Sequence, residues 1–471
     1  MKTKSPISLN YNRENLTAGI LHFGVGNFHR AHLEYYTHQL LADESQSHWG
    51  ICGAMIMPQD KGLYEALKGQ GNMYSLTICG RDGQNQVEWM GGLVELLFQG
   101  DDSEAILNKV ADKSIRIITM TITEGGYNLD TEQVRHDLSQ PATPQSVFGI
   151  IAEGLRRRVA AGAGPLTILT CDNLQHNGNV CKRVVTDFIT QQDPELAAWL
   201  AQNVTFPNCM VDRITPATTP ADRERINATL PTPDAAPVYC EDYIQWVVED
   251  CFAAGRPAWE KVGVEFTDDV NPYEKMKLRL LNASHSLLSY PAILSGYRKV
   301  DEAMKDENIV KFVRSFMDKD VTPHVPAPKG IDLEVYRQTL IERFGNSAVS
   351  DQVSRLCGDG ASKFPVYVMP IIADLFAHDE DVTRVAYLVA AYRHYLALQK
   401  DDAGEGYDIF EPAMTAADWK LIESGEALDF LSASAFSSVD LVASPAFVQA
   451  YEQFVADIAT KGTMSTLKSI L

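Results

Sequence analysis

Lys277, Asn282 and His285 are the residues whose types and spacing most directly suggest chemistry. They lie in Tyr273–Tyr290, YEKMKLRLLNASHSLLSY, a stretch without Pro or Gly and dense in Leu, Met and Ala, which predicts a helix. Asn271-Pro272 supplies an entry, with Asn as cap and Pro in the first turn, and Pro291 supplies an end. Around such a helix Asn282 falls ~140° and His285 ~80° from Lys277, with Glu274 ~60° away, so all four share one side. A lysine lowered by burial can take the proton of an alcohol. An amide and an imidazole can donate hydrogen bonds to the oxygen on which negative charge develops. The set suits interconversion of an alcohol and a carbonyl. An ordinary amphipathic helix, with a solvated lysine and two satisfied core polar groups, would carry the same stripe, so the rest of the chain has to decide.

With 471 residues the chain has room for two or three domains. Gly19–Phe23 is a short apolar strand that runs into Gly24-Val25-Gly26 and a helical stretch, Phe28–Ala42. Two glycines allow a tight turn and close approach of backbone to a pyrophosphate, with Phe28 opening the helix; His29 stands where a third glycine is usual. Trp49–Met57 reads as a second buried strand, ending at Pro58-Gln59-Asp60. Asp60 is placed to grip a ribose diol and repel a 2′-phosphate, which favours NAD over NADP; it also suits the N-cap of a helix over Lys61–Leu67, and the two roles can coexist. Met73–Cys79 and Gln86–Met90 flank Arg81-Asp82-Gly83, a hairpin signal. Ser114–Thr123 is a β-branched strand entering Glu124-Gly125-Gly126-Tyr127. A helix over Gln145–Ala161 precedes a strand, Pro165–Thr170, ending at Cys171-Asp172-Asn173. Strands alternating with helices predict an α/β fold with a largely parallel sheet, whose ligands sit at strand C-terminal ends, so Asn173 is a candidate. Val204–Pro216 holds Asp212 and Arg213 in an apolar setting, where a structural ion pair is the plain reading.

From Asn271 onward strand signals nearly vanish and helical patterns dominate: Asp301–Met317, Asp332–Phe344, Pro365–His378, Asp381–Gln399 and Pro445–Lys461. The expected division is a dinucleotide-binding domain over 1–270 and a mainly α-helical substrate and catalytic domain over 271–471. Asp plus Glu outnumber Lys plus Arg by 62 to 41, a net charge of −21, which argues against nucleic acid and anionic membrane surfaces as partners. The polar start, MKTKSPISLNYNRENL, lacks a signal-peptide apolar core, and no apolar run reaches the ~18 residues of a membrane span. Eight scattered Cys without a CxxC pair read as reduced cytosolic thiols, so a cytoplasmic location is expected. His29 and His32 lack a third nearby metal ligand, so no metal site is expected. Arg156-Arg157-Arg158 reads as a solvated helix face.

Five segments in this order resemble the mannitol dehydrogenase family, the long-chain, zinc-independent polyol dehydrogenases: GVGNFHRAH at Gly24–His32, TITEGGY at Thr121–Tyr127, CDN at Cys171–Asn173, FPNCMVDRITP at Phe206–Pro216 and MKLRLLNASH at Met276–His285. The resemblance implies a Rossmann-like nucleotide-binding N-terminal domain followed by a mainly helical C-terminal domain. It implies that Lys277 is the general base, that Asn282 and His285 are the oxyanion pair, and that Glu274 gates proton exchange between the lysine and solvent. It assigns Asn173, Asp212, Arg355 and Lys363 to the polyol, and Gly24, Gly26, Phe28 and Asp60 to the cofactor. NAD without a metal is the implied cofactor; Gln59, neutral where the family often has a carboxylate, weakens exclusion of NADP. The implied reaction is reversible oxidation of a sugar alcohol to a ketose, D-mannitol to D-fructose first, by a monomer. Fructuronate reduction is the alternative within the family, since Arg355 and Lys363 could meet either hydroxyls or a carboxylate. A sugar-phosphate substrate would want an added basic cluster, and a non-catalytic nucleotide sensor would not need Lys277, Asn282 and His285 together.

Overall fold

Parallel strands buried on both faces organise the N-terminal half of the chain. The computed structural model describes residues 9–471, so the first part of the polar N-terminal stretch, residues 1–8, lies outside the described residues. The chain divides into two units, Met1–Asn271 and Pro272–Leu471.

In the first unit the strands are β1 (Ala18–Phe23), β2 (Gly50–Met55), β3 (Tyr74–Cys79), β4 (Asn85–Met90), β5 (Leu93–Phe98), β6 (Ile117–Met120), β7 (Leu166–Thr170), β8 (Val204–Thr205), β9 (Cys209–Asp212), β10 (Val238–Glu241), β11 (Gln245–Glu249) and β12 (Glu265–Thr267). Six of them form one sheet in the order β5-β2-β1-β6-β7-β8, with every neighbouring pair parallel. The chain builds outward from β1 to β5, then returns to lay β6 against the other side of β1. That reversal of direction is the topological switch point at which α/β sheets bind ligands. The pleat sends Ile20 and Ile51 into one apolar layer and Leu21, Phe23, Cys52 and Ala54 into the other. Each of the Ile, Leu and Phe side chains among them, fully buried, is worth about 1.5–3 kcal/mol before entropy is counted. β3 and β4 form the expected antiparallel hairpin, with Gly83 at φ +81° in its turn, and β10 adds a parallel neighbour to β3. β9, β11 and β12 make a separate small sheet that ends, on β9, at Asp212.

The second unit is helical, and its described residues contain no named strand. Asp332 accepts the first amides of Leu333–Phe344, and Ser444 with Pro445 opens Pro445–Lys461 at the predicted bounds. Helix Thr383–Leu398 packs against both Pro445–Lys461 and Ala283–Leu294.

Six expectations need correction. The single helix over Tyr273–Tyr290 is three pieces: an α-turn at Asn271–Met276, a π-turn at Lys277–Asn282 and an α-helix at Ala283–Leu294. Asp269, not Asn271, takes the first amide, its Oδ1 accepting from Asn271 N–H at 3.0 Å. Pro291 does not end the helix; all twelve residues of Ala283–Leu294 are buried, so packing outweighs the hydrogen bond that proline forfeits. The stretch Phe28–Ala42 breaks at His32 into Asn27–Ala31 and Leu33–Leu40, with the His32 Nε2 held at 2.9 Å from the Gln245 carbonyl. Asp60 does not cap the helix Lys61–Gly69 with its side chain; its carboxylate turns back and accepts from Met57 N–H at 3.2 Å. The basic run is not a solvated face: Arg158 is buried and donates to the carbonyls of Val110, Asp112, Ala163, Gly164 and Pro165, while Arg156 and Arg157 pair with Glu153, Asp193 and Glu104. No described helix is long and apolar enough to cross a membrane.

Candidate active site

The first unit carries a cleft of about 540 Å³ at the C-terminal ends of β1, β2 and β6, directly at the switch point. Gly24 and Gly26 line it, together with Gln59, Asp60, Thr121 and Thr123. The two glycines are needed for different reasons. Gly24 has φ +94°, and a Cβ there would stand 2.1 Å from the Thr121 carbonyl oxygen. Gly26 has an ordinary extended backbone, φ −82°, and a Cβ there would meet nothing within 4 Å. A glycine that the fold itself does not require, lining a cleft, leaves room for something else to approach its backbone; a dinucleotide pyrophosphate fits that space. Asp60 is half-buried in the wall, and burial raises its pKa against the bond from Met57. Phe28 is not among the lining residues; its ring stacks on His32 with centroids 4.9 Å apart.

His29, in the place of a third glycine, is wholly buried and stacks on His22 at 3.5 Å with the rings 13° from parallel. His22 in turn approaches the Gly24 carbonyl at 3.0 Å and Thr119 Oγ1 at 2.8 Å, so the pair of rings braces the glycine turn against β6. Burial holds both imidazoles neutral, His22 at a pKa of about 3. Among the described residues no three His, Cys, Asp or Glu side chains gather into a group able to hold a metal ion.

Asn173 is exposed just past the end of β7, and Asp212 is buried at the end of β9. Arg213 beside it donates to the carbonyls of Glu241 and Ala31 and lies over the Tyr35 ring. Between the cleft and Asn173 stands a residue the sequence reading passed over. Asp172 is buried and accepts from Thr123 N–H at 2.9 Å, Ile122 N–H at 3.2 Å, the Tyr127 hydroxyl at 2.7 Å and Thr170 Oγ1 at 3.1 Å. Thr123 sits at φ +65°, ψ 167°, a region that side chains other than glycine's enter at a cost of about 1–3 kcal/mol.

In the second unit Glu274, Lys277 and His285 are buried, and Asn282 is partly so. The π-turn changes the geometry that a regular helix predicts. Its i→i+5 bonding, seen in the bond from Ala283 N–H to the Leu278 carbonyl, widens the turn. Lys277 and Asn282, its first and last residues, are therefore closer in angle than the ~140° of an α-helix. Such turns recur at functional sites because they re-aim side chains within a packed helix. Arg279, at the middle of the turn, is anchored by Asp374, and a second π-turn, Phe364–Val368, packs against the first. Asn282 Oδ1 is buried and has no hydrogen-bond partner, an orphaned polar group of the kind a ligand satisfies.

His285 is braced by Phe344, with ring centroids 4.4 Å apart. Burial pushes its pKa well below the ordinary value, and the positive charges of Arg355, Arg343, Lys363 and Lys277 push the same way. The structure thus brings Lys277, Arg355 and Lys363 around a neutral imidazole, which can donate one N–H. Lys363 donates to the carbonyls of Leu356 at 3.0 Å and Arg355 at 3.3 Å, and burial, then Arg355, lowers its pKa. Arg355 is exposed and paired with Asp351 through both carboxylate oxygens. Arg343, buried on Leu333–Phe344, is a fourth cation, one that the sequence reading missed; the only signal was its place beside Phe344 near the end of that helix.

Comparison with known proteins agrees with these two units. The family model described as the mannitol dehydrogenase Rossmann domain matches residues 18–261, and that of the mannitol dehydrogenase C-terminal domain matches residues 269–459. A polyol:NADP oxidoreductase of Gluconobacter oxydans is 40% identical over 90% of this chain and 90% of its own. A mannitol 2-dehydrogenase of Aspergillus fumigatus is 36% identical over 95% and 92%. Among solved structures, the Pseudomonas fluorescens mannitol 2-dehydrogenase in ternary complex with NAD and D-mannitol superposes with a TM-score of 0.90 at 40% identity, over 98% of this chain and 96% of that one. A substrate-free D-sorbitol dehydrogenase gives 0.87 at 38% identity, over 97% and 96%.

Proposed function

The chain belongs to the mannitol dehydrogenase family, and from that premise we propose that it oxidises a sugar alcohol to a ketose, D-mannitol to D-fructose first, and runs the reverse reduction, with NAD and without a metal. The observation that carries the reading is the buried, neutral His285 with Lys277 among the cations about it, and a π-turn that runs from Lys277 to Asn282.

In this reading Lys277 Nζ takes the proton of the carbinol oxygen and returns it in the reverse direction. Asn282 Nδ2 and one ring N–H of His285 hold that oxygen as charge builds on it. A neutral His285 matters here: it donates without adding a charge that would compete with Lys277 for the proton. Glu274, buried in the turn before Lys277, relays the lysine's proton to and from solvent in this reading. Asn173, Asp212, Arg355 and Lys363 orient the remaining hydroxyls. Gly24, Gly26 and Asp60 hold the dinucleotide, with Phe28 supporting through its stack on His32. NAD, when bound, supplies the acceptor for the hydride leaving the carbinol carbon. The Asp60 carboxylate in the cleft wall disfavours a 2′-phosphate.

A second reading is reduction of a hexuronate such as D-fructuronate. The cationic surroundings of His285 favour it; the neutralisation of Arg355 by Asp351 weighs against it. Initial rates of NADH consumption with D-fructose and with D-fructuronate separate the two. Fast turnover on fructose with little on fructuronate supports the polyol reading, and the opposite preference replaces it with the hexuronate one.

A further inference from the structure

We propose that Asp172 is a positioning residue that clasps the cofactor-lining loop after β6 to the loop after β7, fixing the wall of the dinucleotide cleft and the polyol-binding Asn173 in one register. The proposal rests on the functional reading above and concerns only residues of the first unit.

Thr121, Ile122, Thr123, Gly125 and Gly126 line the cleft. Thr121 N–H still donates to the Phe23 carbonyl of β1 at 2.9 Å, and Gly126 N–H turns back to the Thr123 carbonyl at 3.1 Å; between them the chain has left the sheet, and no strand holds the amides of Ile122 and Thr123. Asp172 does so instead. One carboxylate oxygen accepts Thr123 N–H at 2.9 Å; the other accepts Ile122 N–H at 3.2 Å and the Tyr127 hydroxyl at 2.7 Å. Tyr127 also meets Thr170 Oγ1, so one end of the loop is tied to Asp172 and the other to both Asp172 and the last residue of β7. Thr123 is held at φ +65°, a strained conformation for a β-branched residue that persists only when its surroundings over-determine it. The two amide bonds to Asp172 flank that residue's N-terminal side and provide the constraint. Asn173 follows Asp172 directly in sequence, so a shift of the carboxylate displaces it as well. The carboxylate itself lies buried beneath the loop and acts through Thr123 and Asn173.

The test measures the NADH dissociation constant by fluorescence titration, the KM for polyol at saturating cofactor, and the thermal midpoint of the whole chain. Asp172→Asn replaces one acceptor oxygen by a donor facing N–H groups. It is expected to weaken NADH binding at least tenfold and to raise the polyol KM. Adding Thr123→Gly to Asp172→Asn is expected to recover most of the NADH affinity, because glycine takes a positive φ without strain. Tyr127→Phe removes one of the donors and is expected to give a smaller loss in the same two constants; it carries the test if Asp172→Asn does not fold. The proposal is overturned if Asp172→Asn binds NADH and polyol as the wild type does. It is equally overturned if affinity is lost and Thr123→Gly recovers none of it, or, where only Tyr127→Phe folds, if that variant is unchanged. Wild-type protein that binds neither NADH nor NADPH would overturn the cofactor reading and this one together.

Discussion

Gly26→Ala separates the requirements of the fold from those of the cofactor. At φ −82° the backbone of residue 26 is open to any side chain, and the added Cβ meets nothing within 4 Å. Replacing glycine at such a position restricts the unfolded chain and stabilises the fold by about 0.4–1 kcal/mol. The same methyl projects into the cleft where a pyrophosphate must come against backbone. Losing one charge-assisted hydrogen bond there costs about 1.5–3 kcal/mol, or about 10- to 100-fold in the dissociation constant. Gly24→Ala works the other way. Its Cβ would stand 2.1 Å from a backbone oxygen at φ +94°, so the fold itself must give; the left-handed backbone alone costs about 1–2 kcal/mol. NADH titration beside thermal denaturation therefore sorts the two variants: Gly26→Ala as stable as wild type or more so but a poor binder, Gly24→Ala both less stable and a poor binder. A Gly26→Ala protein that binds NADH with wild-type affinity would refute the placement of the pyrophosphate, however well the fold resembles a nucleotide-binding one.

Other consequences can be measured in the same protein. Asn282→Ala should lower kcat about 100- to 1,000-fold, as loss of an oxyanion donor does, with no loss of thermal stability, since the Asn282 Oδ1 has no partner to lose. The pH profile of kcat/KM should show no inflection near 6.5 from His285, whose pKa lies well below that value; an inflection there abolished by His285→Asn would show that the imidazole titrates. His38 is buried with a pKa lowered to about 4, its Nδ1 accepting from Gly91 N–H. Between the unfolded value of about 6.5 and that folded value only the unfolded chain binds this proton, so stability is lost as pH falls, by about 1.4 kcal/mol per unit. His38→Gln, which keeps an acceptor but does not titrate, should flatten the urea midpoint against pH between 6.5 and 4.5; an unchanged slope would show that His38 is not neutral in the folded protein.

The parallel sheet was legible in the sequence because its strands are short apolar runs closed by glycine or polar residues, and Gly24, Gly26 and Asp60 could be placed at strand ends from spacing alone. The Pro445–Lys461 helix was legible to its last residue because serine, proline and glycine mark its ends. The π-turn at Lys277–Asn282 was not, since a pattern read at a fixed period cannot register one added residue per turn. Pro291 misled for a related reason: local propensity ends the helix there, and the burial of the whole segment carries it on. His29 looked like a defect in a glycine motif, yet its stack on His22 braces the turn. Arg158 was read as solvated charge because its burial depends on carbonyls that the fold brings to it, those of Val110 and Asp112 from another segment, and Arg343 was not singled out at all. Asp172 was passed over for its neighbour Asn173, since nothing local shows that the amides of Ile122 and Thr123 will converge on it.

The most direct test of the central claim is the rate of NADH formation from D-mannitol by EDTA-treated protein, compared between wild type and Lys277→Ala, with NADH affinity measured on both. Loss of a general base should lower kcat about 100- to 10,000-fold while the NADH dissociation constant stays unchanged, because Lys277 is assigned to the alcohol proton and not to the cofactor. Wild-type turnover surviving in Lys277→Ala, or wild-type activity that vanishes with EDTA and returns with added zinc, would contradict the account.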